Sequence, residues 1–114
     1  MIRDPQDLER QLVIRQNAGD IDGMVALFEP DAVVDSGQGR LSRGHTAIRA
    51  LFVEIVASGW KFRHGEQQPA LISGDLAMTS TKAADGNVTA EVARRQADGT
   101  WLWVLDRYSI ARER

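Results

Sequence analysis

Beyond Gly59 the chain never returns to a helical period, and this ordering of helices first and strands afterwards constrains the fold more than any other feature. Trp60 to Gln68 reads as a strand that Pro69 breaks. Leu71-Ile72 leads to a turn at Ser73-Gly74-Asp75, and Leu76 to Ala83 follows. Asp85-Gly86-Asn87 turns the chain again. Val88 to Gln96 and Trp101 to Ile110 form a last pair joined at Ala97-Asp98-Gly99. Strands in direct succession, with no helix between them, imply an antiparallel, meander-like sheet.

Three helices precede it. Asp4 is placed to N-cap the first, with Pro5 at its first position, and Gly19 ends it. Asp20 caps a second, in which Ile21, Met24, Val25 and Phe28 recur at i, i+3, i+4, i+7; Pro30 forbids its continuation. Ala32-Val33-Val34 reads as a short strand, Gly37 and Gly39 mark a turn, and Arg40-Leu41-Ser42 returns. The third helix opens near Gly44 and carries the fullest apolar stripe, Ile48, Leu51, Phe52, Ile55 and Val56, up to Gly59. The expected architecture is α+β, with three helices packed on one face of a strongly curved antiparallel sheet and a cleft between the two.

At 114 residues, 43% hydrophobic and 26% charged, the chain fits one domain spanning 1–114, with a core that needs neither disulfide nor structural metal. A formal charge of -2 gives no footprint for nucleic acid. The charged start Met1-Ile2-Arg3-Asp4-Pro5 is unlike a signal peptide, and no apolar run reaches the roughly 20 residues of a membrane span. A cytoplasmic, soluble protein is expected. With no Cys, thiol chemistry and thiolate metal sites are excluded. The two histidines, His45 and His64, make no metal motif, and no dinucleotide, Walker or nucleophile-elbow pattern occurs. No metal and no cofactor is expected.

The last hairpin admits two registers. A two-residue Asp98-Gly99 loop sets Glu91 opposite Asp106, making a carboxylate pair. A three-residue Ala97-Asp98-Gly99 loop sets Asp106 opposite Ala90. Patterning favours the second: Leu102, Val104, Asp106 and Tyr108 share one face, and Trp101, Trp103 and Leu105 the other. The Trp face would then be exposed, which suggests a homodimer through the sheet face carrying Trp101, Trp103 and Leu105.

Three stretches carry a family likeness: Gly19-Asp20-Ile21-Asp22-Gly23-Met24-Val25-Ala26-Leu27-Phe28 running to Pro30-Asp31-Ala32-Val33-Val34; Arg43-Gly44-His45-Thr46-Ala47-Ile48; and Ala90 to Trp101 running into Val104-Leu105-Asp106. In these, in their order and in length, the sequence resembles the nuclear transport factor 2-like superfamily, in its SnoaL-like and ketosteroid isomerase-like branch. The resemblance implies a cone-shaped fold with a pocket at its open end. It also implies frequent dimers and, where members are enzymes, an Asp with a few polar partners in an apolar pocket, without metal or organic cofactor. Members include isomerases, cyclases, dehydratases and non-catalytic binding or assembly domains, so the fold leaves the function open.

Asp106 is the candidate catalytic residue: among Leu102, Val104 and Tyr108 its carboxyl is desolvated, which raises its pKa toward acid–base work. Tyr108 shares its face. His64 lies on a Trp60, Phe62, His64, Glu66 alternation, and with Phe28, Phe52 and Trp60 it is expected around the same pocket. Asp35 lies near the position of a catalytic Asp in ketosteroid isomerase-like members, but Ser36 occupies the aligned position and the first helix has no Tyr, so that mechanism lacks two of its parts. Arg94 or Arg95 could hold the Asp106 charge or stack on a Trp. Two functions follow. One is a cofactor-independent isomerase, cyclase or dehydratase acting on a small apolar or carbonyl-containing molecule. The other is a non-catalytic ligand-binding or dimerisation module.

Overall fold

The computed structural model describes residues 1–111. Helix α1 (Asp7–Asn17) turns Leu8, Leu12, Val13 and Gln16 inward. It starts later than the cap at Asp4 implies: Asp4 holds the preceding turn, its Oδ1 accepting from Gln6 N at 2.9 Å and its carbonyl from Asp7 N at 2.9 Å. Helix α2 (Ile21–Val25) is capped by Asp20, which accepts from Gly23 N at 2.9 Å. It stops short of Phe28, which opens strand β1 (Phe28–Gly37). Pro30 pushes the residue before it to extended backbone, and Trp103 N takes the Leu27 carbonyl at 2.9 Å.

Strand β2 (Arg40–Arg43) returns antiparallel to β1, and α3 (Gly44–Ala57) buries Ile48, Leu51 and Phe52. Gly44 has φ +80° with the Pro30 carbonyl 3.4 Å from where a Cβ would stand, a junction that favours glycine. The strand expected over Trp60 to Gln68 is reduced to β3 (Glu66–Gln67); Trp60 to Gly65 has no regular secondary structure. Strands β4 (Leu71–Ser73), β5 (Leu76–Thr79), β6 (Thr81–Lys82), β7 (Val88–Arg95) and β8 (Trp101–Ala111) follow.

The main sheet runs β2-β1-β8-β7-β5-β4, with β3 and β6 paired beside it. It curls without closing, so the α+β architecture of three helices on a curved sheet is the one the chain adopts. Every pairing is antiparallel except β1 with β8, which is parallel. The helices fill the concave side. There the Phe28 ring lies 5.7 Å from Phe52 and 5.3 Å from Trp103, an aromatic group at the centre of the core.

The last hairpin combines both candidate registers. Its loop is the three-residue form: Gln96 N donates to Thr100 O at 2.7 Å, Gly99 N to Gln96 O at 2.9 Å, and Gly99 has φ +85°. Arg95 thus faces Trp101 and Ala93 faces Trp103. A bulge follows in which Val104 has no partner, and beyond it Val92 faces Leu105 and Glu91 faces Asp106. The expected pairing of Asp106 with Ala90 is therefore overturned. One extra residue reverses the alternation, so Trp101 and Trp103 share the inner face with Asp106.

Candidate functional site

Four inward side chains converge on the concave face where α1 crosses the sheet. Val34, on β1, is the buried neighbour of Asp106, and Thr79, on β5, is the buried neighbour of Glu91. Asp106 is 5% exposed and Glu91 3%. Directly opposed side chains of this kind stand about 5 Å apart at Cβ. Thr79 Oγ1 donates to Glu91 Oε1 at 2.8 Å, and the nearby Thr89 hydroxyl, which accepts from Thr81 N at 3.0 Å, also favours the charged form of that carboxyl. Among the described residues no donor bonds the Asp106 carboxyl. Two residues on, the Tyr108 hydroxyl is buried without a partner, and its ring meets Phe62 edge-on at 6.3 Å. Glu9, on α1, is the third carboxylate near the pair.

Burial pushes all of these groups toward their neutral forms. Asp106 is held well above the usual carboxylate range by desolvation first, then by the negative fields of Glu91, Glu9 and Asp35. Glu91 is raised by burial against the opposing pull of Thr89 and Thr79. Glu9 is raised to about 7 by burial and by Glu91. The Tyr108 phenol is pushed well up by burial and by Asp106. Hydroxyl donors favour the charged form of Glu91 and none does so for Asp106, so of the two Asp106 is the more strongly held in its neutral form. The arrangement sets two carboxyl groups beside a phenol.

The other expected site residues lie elsewhere. Phe28 and Phe52 are core residues of the aromatic group. Trp60 is 68% exposed, and His64 is exposed on the same irregular segment, so neither joins the carboxylates. Asp35 points to the outer face, where it accepts from Gly37 N at 2.9 Å and pairs with Arg107 Nε at 3.2 Å. Arg94 pairs with Glu29 and Arg95 with Asp75; neither reaches Asp106. Glu9, Thr79, Thr89 and Gln16 were not expected. Glu9, Val13 and Gln16 recur at i, i+4, i+7 along α1, a signal that polar residues at both ends disguise.

The outer face differs from expectation. Trp101 and Trp103 are buried, so the surface proposed to carry them with Leu105 does not exist in that form. Leu105 remains, 49% exposed, as one rung of a row in direct register across the sheet: Val33, Leu105, Val92, Met78 and Leu71. Arg43 extends the row on β2, and Val33, Met78, Val92 and Leu105 help line a groove of about 470 Å³. A second cleft, of about 540 Å³, lies between Asp75 and the β7–β8 loop. Among the described residues no cluster of His, Cys, Asp and Glu is arranged to hold a metal ion, and no helix is long and apolar enough to cross a membrane.

Solved structures with this fold include one from Thiobacillus denitrificans, named for the calcium/calmodulin-dependent protein kinase type II association domain (TM-score 0.74, 18% identity, covering 94% of each chain). A protein of unknown function with a cystatin-like fold from Nostoc punctiforme matches with TM-score 0.71 at 16% identity, over 94% of this chain and 92% of its own. A nuclear transport factor 2-like protein of unknown function from Pseudomonas putida matches at 0.66 and 20%, over 91% and 82%. Likeness at these identities speaks for the fold alone. No curated protein matches. The SnoaL-like domain family matches residues 10–114, a range that contains the Glu91–Asp106 pair, Tyr108 and most of α1. The chain belongs to the SnoaL-like domain family.

Proposed function

We propose that Glu91 and Asp106 form the acid–base centre of a pocket for a small, largely apolar molecule bearing a carbonyl group. A small-molecule-binding domain is consistent with the family. The observation that carries the enzymatic reading is the buried Glu91–Asp106 pair, one member served by hydroxyl donors and the other by none. In the proposed step the Glu91 carboxylate takes a proton from carbon beside the carbonyl. Protonated Asp106 donates to the carbonyl oxygen, and an enol results. Where a β,γ double bond is present, reprotonation at the γ-carbon gives an isomer, and only protons move. Where a β-hydroxyl is present, the β C–O bond breaks as the enol collapses, and the hydroxyl leaves as water with the proton that Glu91 took; neither step needs a further reactant.

The test is exchange of α-protons for deuterium in cyclic ketones, followed by NMR. The protein should accelerate exchange, and Asp106→Asn should lower the rate about 10²–10⁴-fold. If the native protein accelerates no ketone in a panel of one- and two-ring compounds, the acid–base reading falls.

The outer face supports a second element, self-association. The apolar row from Val33 to Leu71 crosses five strands, roughly 19 Å at about 4.8 Å per strand gap. A second copy carries the same row, so two copies can bury it against each other. The site-free reading, a dimerisation module, rests on this row alone.

A further inference from the structure

We propose that Trp60 to His64 is a gate over the acidic chamber, with Phe62 standing where the ring of a ligand would lie. The inference rests on the acid–base reading of the chamber and adds how the chamber is entered and what shape it accepts. The segment has no regular secondary structure and is bracketed by two glycines of opposite character. Gly59 has φ +79° with nothing within 4 Å of its Cβ position. Gly65 is pinned: a Cβ there would stand 2.7 Å from Thr81 Cγ2 and 2.8 Å from the Lys82 carbonyl. The Gly59 end has open space beside it and is tied only to its own helix end, through Gly59 N to Val56 O at 3.2 Å and Trp60 N to Ser58 Oγ at 3.1 Å, whereas the Gly65 end is packed against the sheet.

A latch holds the span closed. Gln16 is fully buried on α1; its Oε1 accepts from Phe62 N at 2.9 Å and its Nε2 donates to Trp60 O at 2.5 Å. Asn17 Nδ2 adds a longer bond to Phe62 O at 3.4 Å. What the latch holds in place is the Phe62 ring, edge-on to Tyr108. The Tyr108 hydroxyl is left without a partner, and a buried donor in that condition is costly unless something else occupies the site. Glu91 and Asp106 border the 470 Å³ groove, whereas Phe62, Tyr108 and Glu9 line neither cleft, so the gate closes the Tyr108 side of the pair. When the gate swings, the vacated volume is that of one planar ring beside a phenol donor. The ligand it admits therefore has a ring in the Phe62 position and an oxygen acceptor within reach of Tyr108.

Tyr108 is the only tyrosine in the chain, so its reactivity reports the gate without reference to catalysis. Nitration by tetranitromethane, read at Tyr108 by peptide mass, should be slow in the native protein. It should be about tenfold faster in Phe62→Ala, the size expected from losing one edge-to-face pair. Gln16→Ala, which frees the latch but keeps the ring, should also accelerate it, and Phe62→Leu supplies a milder variant that retains apolar packing. Circular dichroism establishes that each variant is folded. Nitration unchanged in the folded variants overturns the gate, whatever the activity. In the same variants, α-proton exchange of the two-ring ketone 2-tetralone should rise relative to cyclopentanone. Faster nitration with no exchange in any protein keeps the gate and removes the acid–base reading; exchange abolished by Asp106→Asn with unchanged nitration does the reverse.

Discussion

Glu91 and Asp106 face each other across β7 and β8 because β8 carries one residue more than its partner between Trp103 and Leu105. That single unpaired position, Val104, lets a strand bury Trp101 and Trp103 on the same side as Asp106 and Tyr108. Two sets of residues that strict alternation would separate are thereby combined into one interior. The first set gives the cone its apolar floor and the second its chemistry.

The cost of the second set should be visible as a stability that falls with rising pH. Glu9 titrates at about 7 in the folded chain against an ordinary 4.5, and Glu91 and Asp106 are displaced in the same direction. Between those values the native state holds protons that the unfolded chain has lost. Stability is therefore fully present below about pH 4.5 for the two Glu and below 3.8 for Asp106, and is lost as pH rises from there toward the folded values. Urea unfolding at pH 5 and pH 8 should show a loss on the order of 2 kcal/mol at the higher pH, and Glu9→Gln should flatten the difference. Equal stability at the two pH values would mean that the three carboxyls are solvated.

Asp106→Asn should separate stability from activity. The amide keeps the shape of the protonated acid and cannot ionise, so it removes a penalty that grows from about pH 3.8 upward and is larger at pH 8 than at pH 5. Melting temperature at pH 8 should rise as α-proton exchange falls about 10²–10⁴-fold. A variant destabilised equally at both pH values would show that Asp106 is held by bonds its charge needs, and the acid role would pass to another group.

Much of this was legible in the sequence, and what was not has a common cause. Gly99 announced the three-residue loop, the Ile48-Leu51-Phe52 stripe announced α3, and Gly59 its end. Asp106 stood out as a carboxyl among apolar neighbours. The bulge left no mark, because Val104 is as good a strand residue in a bulge as in a ladder, and patterning could only choose one alternation for the whole strand. Trp60 and His64 misled for a related reason: an alternating sequence was read as a strand where Gln16 and Asn17 instead take the backbone of Trp60 and Phe62. Glu9 and Gln16 were hidden because a polar residue inside a helical stripe looks like the edge of its solvent face.

The outer row predicts how the chain associates. Leu105→Arg places a charge inside the row, between Val33 and Val92. The position is half exposed, so the fold should tolerate it. Light scattering at micromolar concentration should show a dimer for the native chain and a monomer for the variant, with circular dichroism unchanged. A native monomer under these conditions removes the association proposal, and a variant that remains dimeric moves the contact to another face.

Trp103 offers a sharper test of the inner face than truncation alone. It is 1% exposed, its ring lies 5.3 Å from Phe28, and its indole Nε1 has no hydrogen-bond partner among the described residues. Trp103→Ala should cost about 3–5 kcal/mol, as emptying a large aromatic site does. Trp103→Phe loses volume but also removes an unsatisfied buried donor, whose penalty is about 1–3 kcal/mol. The two effects oppose, so the Phe variant should lie within about 1.5 kcal/mol of the native chain in chemical unfolding. A Phe variant as unstable as the Ala variant would mean that the indole N–H is bonded in solution, most simply to a water inside the cone. The chamber would then extend further toward the aromatic floor than Phe62 and Tyr108 alone define.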